Sequence, residues 1–314
     1  MRLSEIVHLK NLLGEFTPDP KCYSTARHLE SLIHQVDGHN IRLPNRVEDL
    51  VVHLESVRSG VTNFLETMRA MDMQLESMIQ DREPAMLENS REVHRMQPLT
   101  DKSDQILQRQ LLIDSEDREK LVGRVNNISD WRMPAMVIRP GLDTFVDNMV
   151  NWDPLYIVDE RNELLEPCVN KFTLEYQRRL RRYTVNDHAP EPYLKNFPAN
   201  QFGLILAYNY MNYKPLEVVK QYITEIADKL RPGGEAIITY NDCDWAHGVA
   251  LAEQSFMSYV PGHCLVEQAH VAGLTVTDRH RGSGDVCWLA FRKPGEMHSI
   301  RGGQSLAKIL ARSK

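Results

Sequence analysis

The sequence has little cysteine, and none of it is paired. Its five cysteines stand alone among 314 residues, with no CxxC pair. Disulfide-rich domains and thiolate zinc sites need paired or clustered cysteines. The six histidines of the first 100 residues also lack a ligand spacing such as HxxxH. We therefore expect reduced thiols, a cytoplasmic location (or a virion if the chain is viral) and no metal.

Long apolar runs and an excess of basic charge are also missing. No stretch approaches about 18 uncharged apolar residues, the length that a membrane-spanning helix needs. Charges interrupt the apolar residues of the first 16 positions, which does not fit a signal peptide. The net charge is -6, so no overall basic field draws the chain to nucleic acid. These absences predict a soluble protein with neither a membrane nor a nucleic acid as its partner.

A regular apolar repeat runs through the first third of the chain. Between Asn45 and Glu83, apolar residues follow an unbroken 3-4-3-4 spacing over five heptads, which predicts a long helix with a coiled-coil seam. Asn45 and Glu48 form a near capping box, and Pro84 is expected to end the helix. The seam consists of Val47, Leu50, Leu54, Val57, Val61, Phe64, Met68, Met71, Leu75 and Met78.

Two interpretations of this seam stay open. It either packs inside a monomeric helical bundle, or it joins the chain to another copy or to a partner's helix. The second interpretation predicts a homo-oligomer or a place in a large assembly. Shorter helices are predicted around it, over residues 3–16, 23–36 and, more weakly, 101–125.

From Trp131 to about Pro294, short apolar strands alternate with helices. This alternation predicts an α/β fold with a doubly wound, mostly parallel seven-stranded sheet. The last two strands have no helix between them, so the final strand is expected to be antiparallel. We divide the chain into a helical region (1–130), an α/β domain (131–296) and a tail (297–314). The predicted strands are 135–139, 154–158, 183–185, 202–208, 236–240, 274–279 and 286–292, and the helices 142–151, 163–179, 215–230, 246–259 and 264–272.

The order of these elements resembles the class I (Rossmann-like) S-adenosylmethionine-dependent methyltransferases. Residues 229–234, Lys-Leu-Arg-Pro-Gly-Gly, look like that family's turn before its fifth strand. Residues 272–274 and 286–292 are similar to the chain entering its sixth strand and to its seventh strand. The resemblance implies S-adenosylmethionine as the cofactor, bound at the carboxyl ends of the parallel strands.

The resemblance also assigns cofactor-binding roles to residues at this edge. Gly141 would let the backbone approach the methionine part of the cofactor. Asp159 or Glu160 would accept hydrogen bonds from the ribose hydroxyls, and Asp187 would face the adenine amine. An acidic residue after a strand is also a common helix cap or solvated turn, so both interpretations stay open for Asp159 and Asp187.

Candidates for the methyl-transfer end follow strands four and five. Tyr208 and Asn209 would line it, and His247 is a candidate base near neutral pH. Asp242 and Asp244 precede His247 and would face the same edge. The polar end of a buried strand, or a solvated loop, explains these residues equally well.

The sequence departs from the family at its first motif. With Gly141 aligned to the first glycine of a GxGxG turn, Asp143 and Phe145 replace the other two, and Arg139 stands near the usual acid. No NPPY-like acceptor motif is present. We therefore predict a methyltransferase-like protein and leave open full, reduced or lost activity. The alternative is a non-catalytic structural component, for example of a viral particle, that keeps the fold and uses its helical arm for protein contacts.

Overall fold

The structure is a computed structural model that describes residues 2–15, 45–96, 115–128, 133–140, 149, 152–190, 192–282 and 287–296. The chain forms two compact units, one up to Pro84 and one from Ala85. The helices predicted over 23–36 and 142–151 and the tail at 297–314 lie outside the described residues. The domain boundary near residue 130 is a boundary of sequence pattern and stays a prediction.

The first unit contains helix α1 (Leu3–Glu15) and most of helix α2 (Asn45–Met96). Helix α1 buries Leu3, Ile6 and Val7, and an ion pair joins Lys10 to Glu76 of α2. The predicted long helix is therefore present. None of the described helices is long and apolar enough to cross a membrane.

The prediction that Pro84 ends this helix was wrong, because α2 continues through Pro84 to Met96. Proline has no N–H, so the carbonyl of Gln80 loses its helical donor, and an interior proline costs about 3 kcal/mol. The turns that follow Pro84 belong to the second unit and make contacts inside it. The Ser90 hydroxyl accepts a 2.8 Å hydrogen bond from the Tyr259 N–H, and Arg91 pairs with Glu217.

The second unit is built on a seven-stranded sheet whose order is β3-β2-β1-β4-β5-β7-β6. Strand β7 is antiparallel to both of its neighbours, and the other described pairings are parallel. The sequence predicts a mostly parallel seven-stranded sheet with an antiparallel last strand, so the predicted fold class is confirmed. The strands are β1 (Ala135–Ile138), β2 (Leu155–Asp159), β3 (Arg181–Thr184), β4 (Phe202–Ala207), β5 (Leu230–Tyr240), β6 (Thr275–Arg281) and β7 (Cys287–Arg292).

Helices cover both faces of the sheet, which is why the central strands are apolar on both sides. All residues of β1 and β4 are buried. One core cluster contains Ile205 with Val219 of helix α6 (Leu216–Lys229), and the other contains Leu206 with Val125 of helix α3 (Ser115–Ile128). The helices of this unit are α3 (Ser115–Ile128), α4 (Asn162–Val169), α5 (Leu174–Gln177), α6 (Leu216–Lys229), α7 (Ala246–Glu253) and α8 (Gly262–Val271).

Two further predictions about local structure were wrong. The single helix predicted over 163–179 is two helices, α4 and α5, and the Thr173 hydroxyl caps α5 by accepting the Tyr176 N–H. The fifth strand, predicted over 236–240, begins at Leu230, and residues 231–234 form an irregularity in its register against β4. Gly233 has a positive φ of 76° there, and the backbone of Lys293, just after β7, bonds Gly233 and Gly234 at 2.9 Å each.

Close packing between α7 and the end of β5 depends on Gly248. A Cβ at this position would lie 2.3 Å from the carbonyl oxygen of Asp242, whereas a Cβ at Gly123 in α3 meets nothing within 4 Å. We expect Gly248→Ala to lower the free energy of unfolding by about 1–3 kcal/mol through overpacking. Gly123→Ala should raise it by roughly 0.5–1 kcal/mol through helix propensity. Chemical denaturation of both variants checks this, and equal effects of the two would contradict the packing argument.

Candidate functional site

Four charged residues lie together where the parallel strands end. Arg139 follows β1, Asp159 ends β2, Asp187 lies shortly after β3, and Lys214 lies beyond β4. All four are buried: Arg139 is 7% exposed, Asp159 1%, Asp187 3% and Lys214 1%. The carboxyl edge of a doubly wound sheet is where such folds bind ligands. Here the chain fills that edge with its own buried charges.

Arg139 occupies the turn directly after β1. Its backbone has a positive φ of 57°, and its N–H donates to the carbonyl of Val158 at 2.7 Å. The guanidinium lies 3.8 Å from an oxygen of Asp159 and 3.5 Å from an oxygen of Glu160. It also lies over the ring of Tyr210, 4.8 Å from the centroid. One cation therefore faces both carboxylates that the resemblance assigns to the ribose.

The two carboxylates respond differently to this environment. Burial raises the pKa of Asp159, and the charge of Arg139 and the N–H of Glu160 offset the rise only in part. That N–H donates to Asp159 Oδ1 at 2.7 Å. Burial also acts to raise the pKa of Glu160, but the charges of Lys214 and Arg139 outweigh it and lower the value to about 2. Glu160 is thus firmly ionised at neutral pH.

Lys214 connects the carboxylates of two neighbouring strand ends. Its ammonium bonds Glu160 and lies 2.9 Å from Asp187 Oδ2. The Tyr210 hydroxyl donates to the same oxygen of Asp187 at 2.8 Å and lies 3.1 Å from the Tyr222 hydroxyl. Burial raises the pKa of both tyrosines well above the ordinary value, so both stay neutral hydrogen-bonding groups. Lys214 therefore has a carboxylate on each side.

We call this set of side chains the rim network. It contains two cations and three carboxylates, so its formal charge is -1 when all five groups are ionised. The sequence analysis missed Lys214, because nothing near it in the sequence shows that it is buried. The members of the rim network are Arg139, Asp159, Glu160, Asp187 and Lys214.

The residues predicted at the methyl-transfer end occupy different environments. Tyr208 is buried in the core cluster on the opposite face of the sheet from Tyr210. Asn209 has a φ of 47° and donates its N–H to the Thr239 hydroxyl at 2.6 Å. His247 is exposed in the first turn of α7. Gly141 lies outside the described residues, and the roles assigned to all of these positions stay predictions.

The acidic residues after β5 take part in a second ion cluster. Asp242 is buried and accepts hydrogen bonds from Arg279 at 2.7 and 2.8 Å and from the Tyr240 hydroxyl at 3.0 Å. Asp244 accepts from Arg279 at 2.5 Å and contacts His263 Nδ1 at 2.8 Å. The bond with Asp244 raises the pKa of His263 to about 10. These carboxylates are therefore tied to the α8 end of the domain.

Beside the rim network, the structure brings together three potential metal ligands that the sequence did not connect. His94, Asp187 and His188 each offer a ligand atom, and these atoms lie within 4.8 Å of one another. His94 comes from α2 and the other two from the loop after β3. Because they come from distant parts of the chain, no ligand spacing appears in the sequence.

The described residues around Asp159 do not fit the ribose of S-adenosylmethionine. Two ribose hydroxyls would each need to approach the carboxylate to about 2.5–3.0 Å. Asp159 is almost fully buried, its Oδ1 already accepts a backbone N–H, and Arg139 lies beside it. A ribose at this carboxylate would therefore have to compete with Arg139.

Comparisons with known proteins show similarity at the level of the fold. No family model matches the chain, and no curated protein matches it. Among solved structures, the N-methyltransferase NodS from Bradyrhizobium japonicum, determined with S-adenosyl-L-homocysteine, is 16% identical and covers 62% of this chain and 100% of its own, with a TM-score of 0.46. The cyclase SpnF is 14% identical over 56% of this chain and 81% of its own, with a TM-score of 0.43. Similarity this low transfers neither a substrate nor an activity.

The rim network makes Lys214 a sensitive position for stability. We expect Lys214→Met to lower the free energy of unfolding by about 3–5 kcal/mol, because it leaves the buried carboxylate of Asp187 and the partly buried carboxylate of Glu160 without their shared cation. Adding Glu160→Gln should restore part of the loss. Lys120→Met is the matched control, since Lys120 forms an exposed pair with Glu116 and should cost at most about 1 kcal/mol. Equal losses for the two lysine variants, measured by denaturant unfolding, would show that the rim network contributes nothing.

Proposed function

We propose that this protein keeps the class I methyltransferase fold without methyltransferase activity, because its own side chains close the cofactor site. The observation that supports this proposal is the position of Arg139. Its guanidinium is buried and lies beside Asp159 and Glu160, one of which the resemblance assigns to the ribose. The protein then acts through contacts with other molecules and not through turnover.

The energy of the rim network shows why closure would suppress cofactor binding. A cofactor with a dissociation constant of 1 µM gains about -8 kcal/mol on binding. Separating Arg139 from the buried carboxylate of Asp159 and the partly buried carboxylate of Glu160 costs about 3–5 kcal/mol. Subtracting that cost leaves about -3 to -5 kcal/mol, which corresponds to a dissociation constant of roughly 1 mM.

The proposal is tested by titrating the full chain with S-adenosylhomocysteine in a calorimeter. We expect no saturable heat from the wild type at ligand concentrations up to about 1 mM. Arg139→Gly removes the guanidinium and also relieves the positive φ, so it should gain measurable affinity. That gain should disappear when Asp159→Asn is added, because the exposed carboxylate would then be lost.

A matched control separates the removal of charge from the relief of backbone strain. Asn200 also has a positive φ, of 52°, and lies away from the rim network. Asn200→Gly should leave ligand binding unchanged. Micromolar binding by the wild type that is lost in Asp159→Asn would overturn the proposal and establish a working cofactor site.

The seam of α2 supports protein contacts as the second part of this function. Several of its apolar side chains are exposed: Val57 at 43%, Phe64 at 54% and Met71 at 48%. These three are spaced seven residues apart and so lie on one face of the helix. Fully burying side chains of this kind gains about 1.5–3 kcal/mol each. We propose that the seam packs against the same seam of a second copy of the chain.

Self-association through the seam is checked by light scattering of the full chain during size-exclusion chromatography. The wild type should be a dimer or larger at about 100 µM, well above a micromolar dissociation constant. Phe64→Glu with Met71→Glu places charges on the seam and should give a monomer. The control variant is Asn63→Glu with Ala70→Glu. Its two residues have the same seven-residue spacing but each lies one position before a seam residue, so this variant should leave the oligomer intact. A monomeric wild type at this concentration would refute self-association.

A further inference from the structure

Two histidines face one buried carboxylate oxygen at the edge of the rim network. His94 Nε2 lies 3.9 Å from Asp187 Oδ1, and His188 Nε2 lies 3.8 Å from the same oxygen. The two imidazole rings stack with a centroid distance of 4.2 Å. These separations are too long for hydrogen bonds. They are close to the spacing of ligand atoms that share one metal ion.

The two oxygens of Asp187 have separate environments. Oδ2 accepts a hydrogen bond from Tyr210 and pairs with Lys214. Oδ1 is buried and has no hydrogen-bond partner among the described residues. A carboxylate that binds metal through one oxygen is commonly oriented by hydrogen bonds to its other atoms. Asp187 already has that arrangement, with its second oxygen directed at the two histidines.

The backbone around both histidines is held by neighbouring contacts. Ser90 lies one helical turn before His94 on α2 and accepts the Tyr259 N–H at 2.8 Å. The His188 N–H donates to the side chain of Asn186 at 3.1 Å, which fixes the turn after β3. The His188 side chain is 28% exposed, whereas His94 is 7% exposed. An ion could therefore reach the site from the His188 side.

The local charge favours a cation. The rim network carries a formal charge of -1, and Asp187 is its member nearest to the histidines. Lys214 opposes a second cation, but Glu160 on its other side shares the lysine charge. A buried negative charge without full compensation is costly. A divalent ion at Asp187 Oδ1 would compensate for it.

We propose that His94, Asp187 and His188 bind one divalent first-row transition-metal ion, of which Zn²⁺ is the best fit. Two imidazole nitrogens with one carboxylate oxygen suit such ions and do not suit Mg²⁺ or Ca²⁺, which prefer all-oxygen sites. Metal–ligand bonds of about 2.0–2.1 Å in a tetrahedron bring ligand atoms about 3.3 Å apart. The site therefore contracts by about half an ångström on binding, and the exposed ring of His188 rotates out of the stack towards the ion.

Such an ion would join the last turn of α2 to the loop after β3. Three protein ligands leave a tetrahedral ion one position for water or for a ligand from outside. Asp187 belongs both to this site and to the rim network, but metal binding and cofactor binding are measured with different ligands. Failure of metal binding and appearance of cofactor binding are separate measurements.

The test is a titration of the full, tag-free, metal-stripped chain with Zn²⁺ against a chromogenic chelator. We expect one Zn²⁺ per chain in the wild type with micromolar or tighter affinity. His188→Ala and His94→Ala should each weaken binding at least tenfold. Co²⁺ bound at the same site should show visible absorption bands that are lost in both variants.

His270→Ala is the control for histidine content, because His270 is exposed at the end of α8. It should leave the stoichiometry and the affinity unchanged. The proposal is overturned if the His94→Ala/His188→Ala double variant binds Zn²⁺ as tightly as the wild type. It is equally overturned if His270→Ala reduces the affinity as much as His188→Ala does. Circular dichroism of each variant checks that it is folded, so that a loss of Zn²⁺ binding can be assigned to the removed histidine side chain.

Discussion

The structure depends on how charges are balanced at the carboxyl edge of the sheet. Parallel strands bring the ends of β1, β2, β3 and β4 to one place, and helices on both faces keep water away from much of it. Buried carboxylates there need partners. The chain supplies them itself through Arg139 and Lys214.

This balance has consequences for local structure. Lys214 pairs with Glu160 after β2 and with Asp187 after β3. It therefore links the segment that follows β4 to the ends of β2 and β3. The ring of Tyr210 lies between the two cations, 4.8 Å from Arg139 and 4.7 Å from Lys214. Buried ion pairs add little net stability compared with apolar packing. Their effect here is to determine which loop conformations satisfy every charge.

The sheet could be predicted from the sequence because its signal is local. Phe202–Ala207 is a short apolar run between polar segments, and a strand covered on both faces requires such a run. Turns and helix ends were predicted less well because distant contacts decide them. Pro84 lies inside α2, and in the next turns Ser90 and Arg91 contact Tyr259 and Glu217. The Arg-Pro-Gly-Gly segment is an irregular part of β5 whose glycines bond Lys293.

Prediction of the candidate site from the sequence was also limited by contacts between residues that are distant in the chain. Asp159, Glu160 and Asp187 were placed at the correct edge, because the end of a parallel strand can be read from its hydrophobic pattern. The residues that face these three carboxylates could not be predicted from the hydrophobic pattern of a strand. Lys214 comes from beyond the next strand, and His94 comes from a helix more than 90 residues earlier in the chain.

Asp187 shows how neighbours change the chemistry of one position. The resemblance gives its carboxylate to the adenine of a cofactor, but in the structure Oδ2 is taken by Tyr210 and Lys214. Oδ1 faces two imidazoles, which are common ligands of first-row transition metals. In the proposed metal site, this carboxylate would bind an ion and not the adenine that the resemblance assigns to it. A conserved fold fixes where a carboxylate lies, and the side chains around it decide what it can bind.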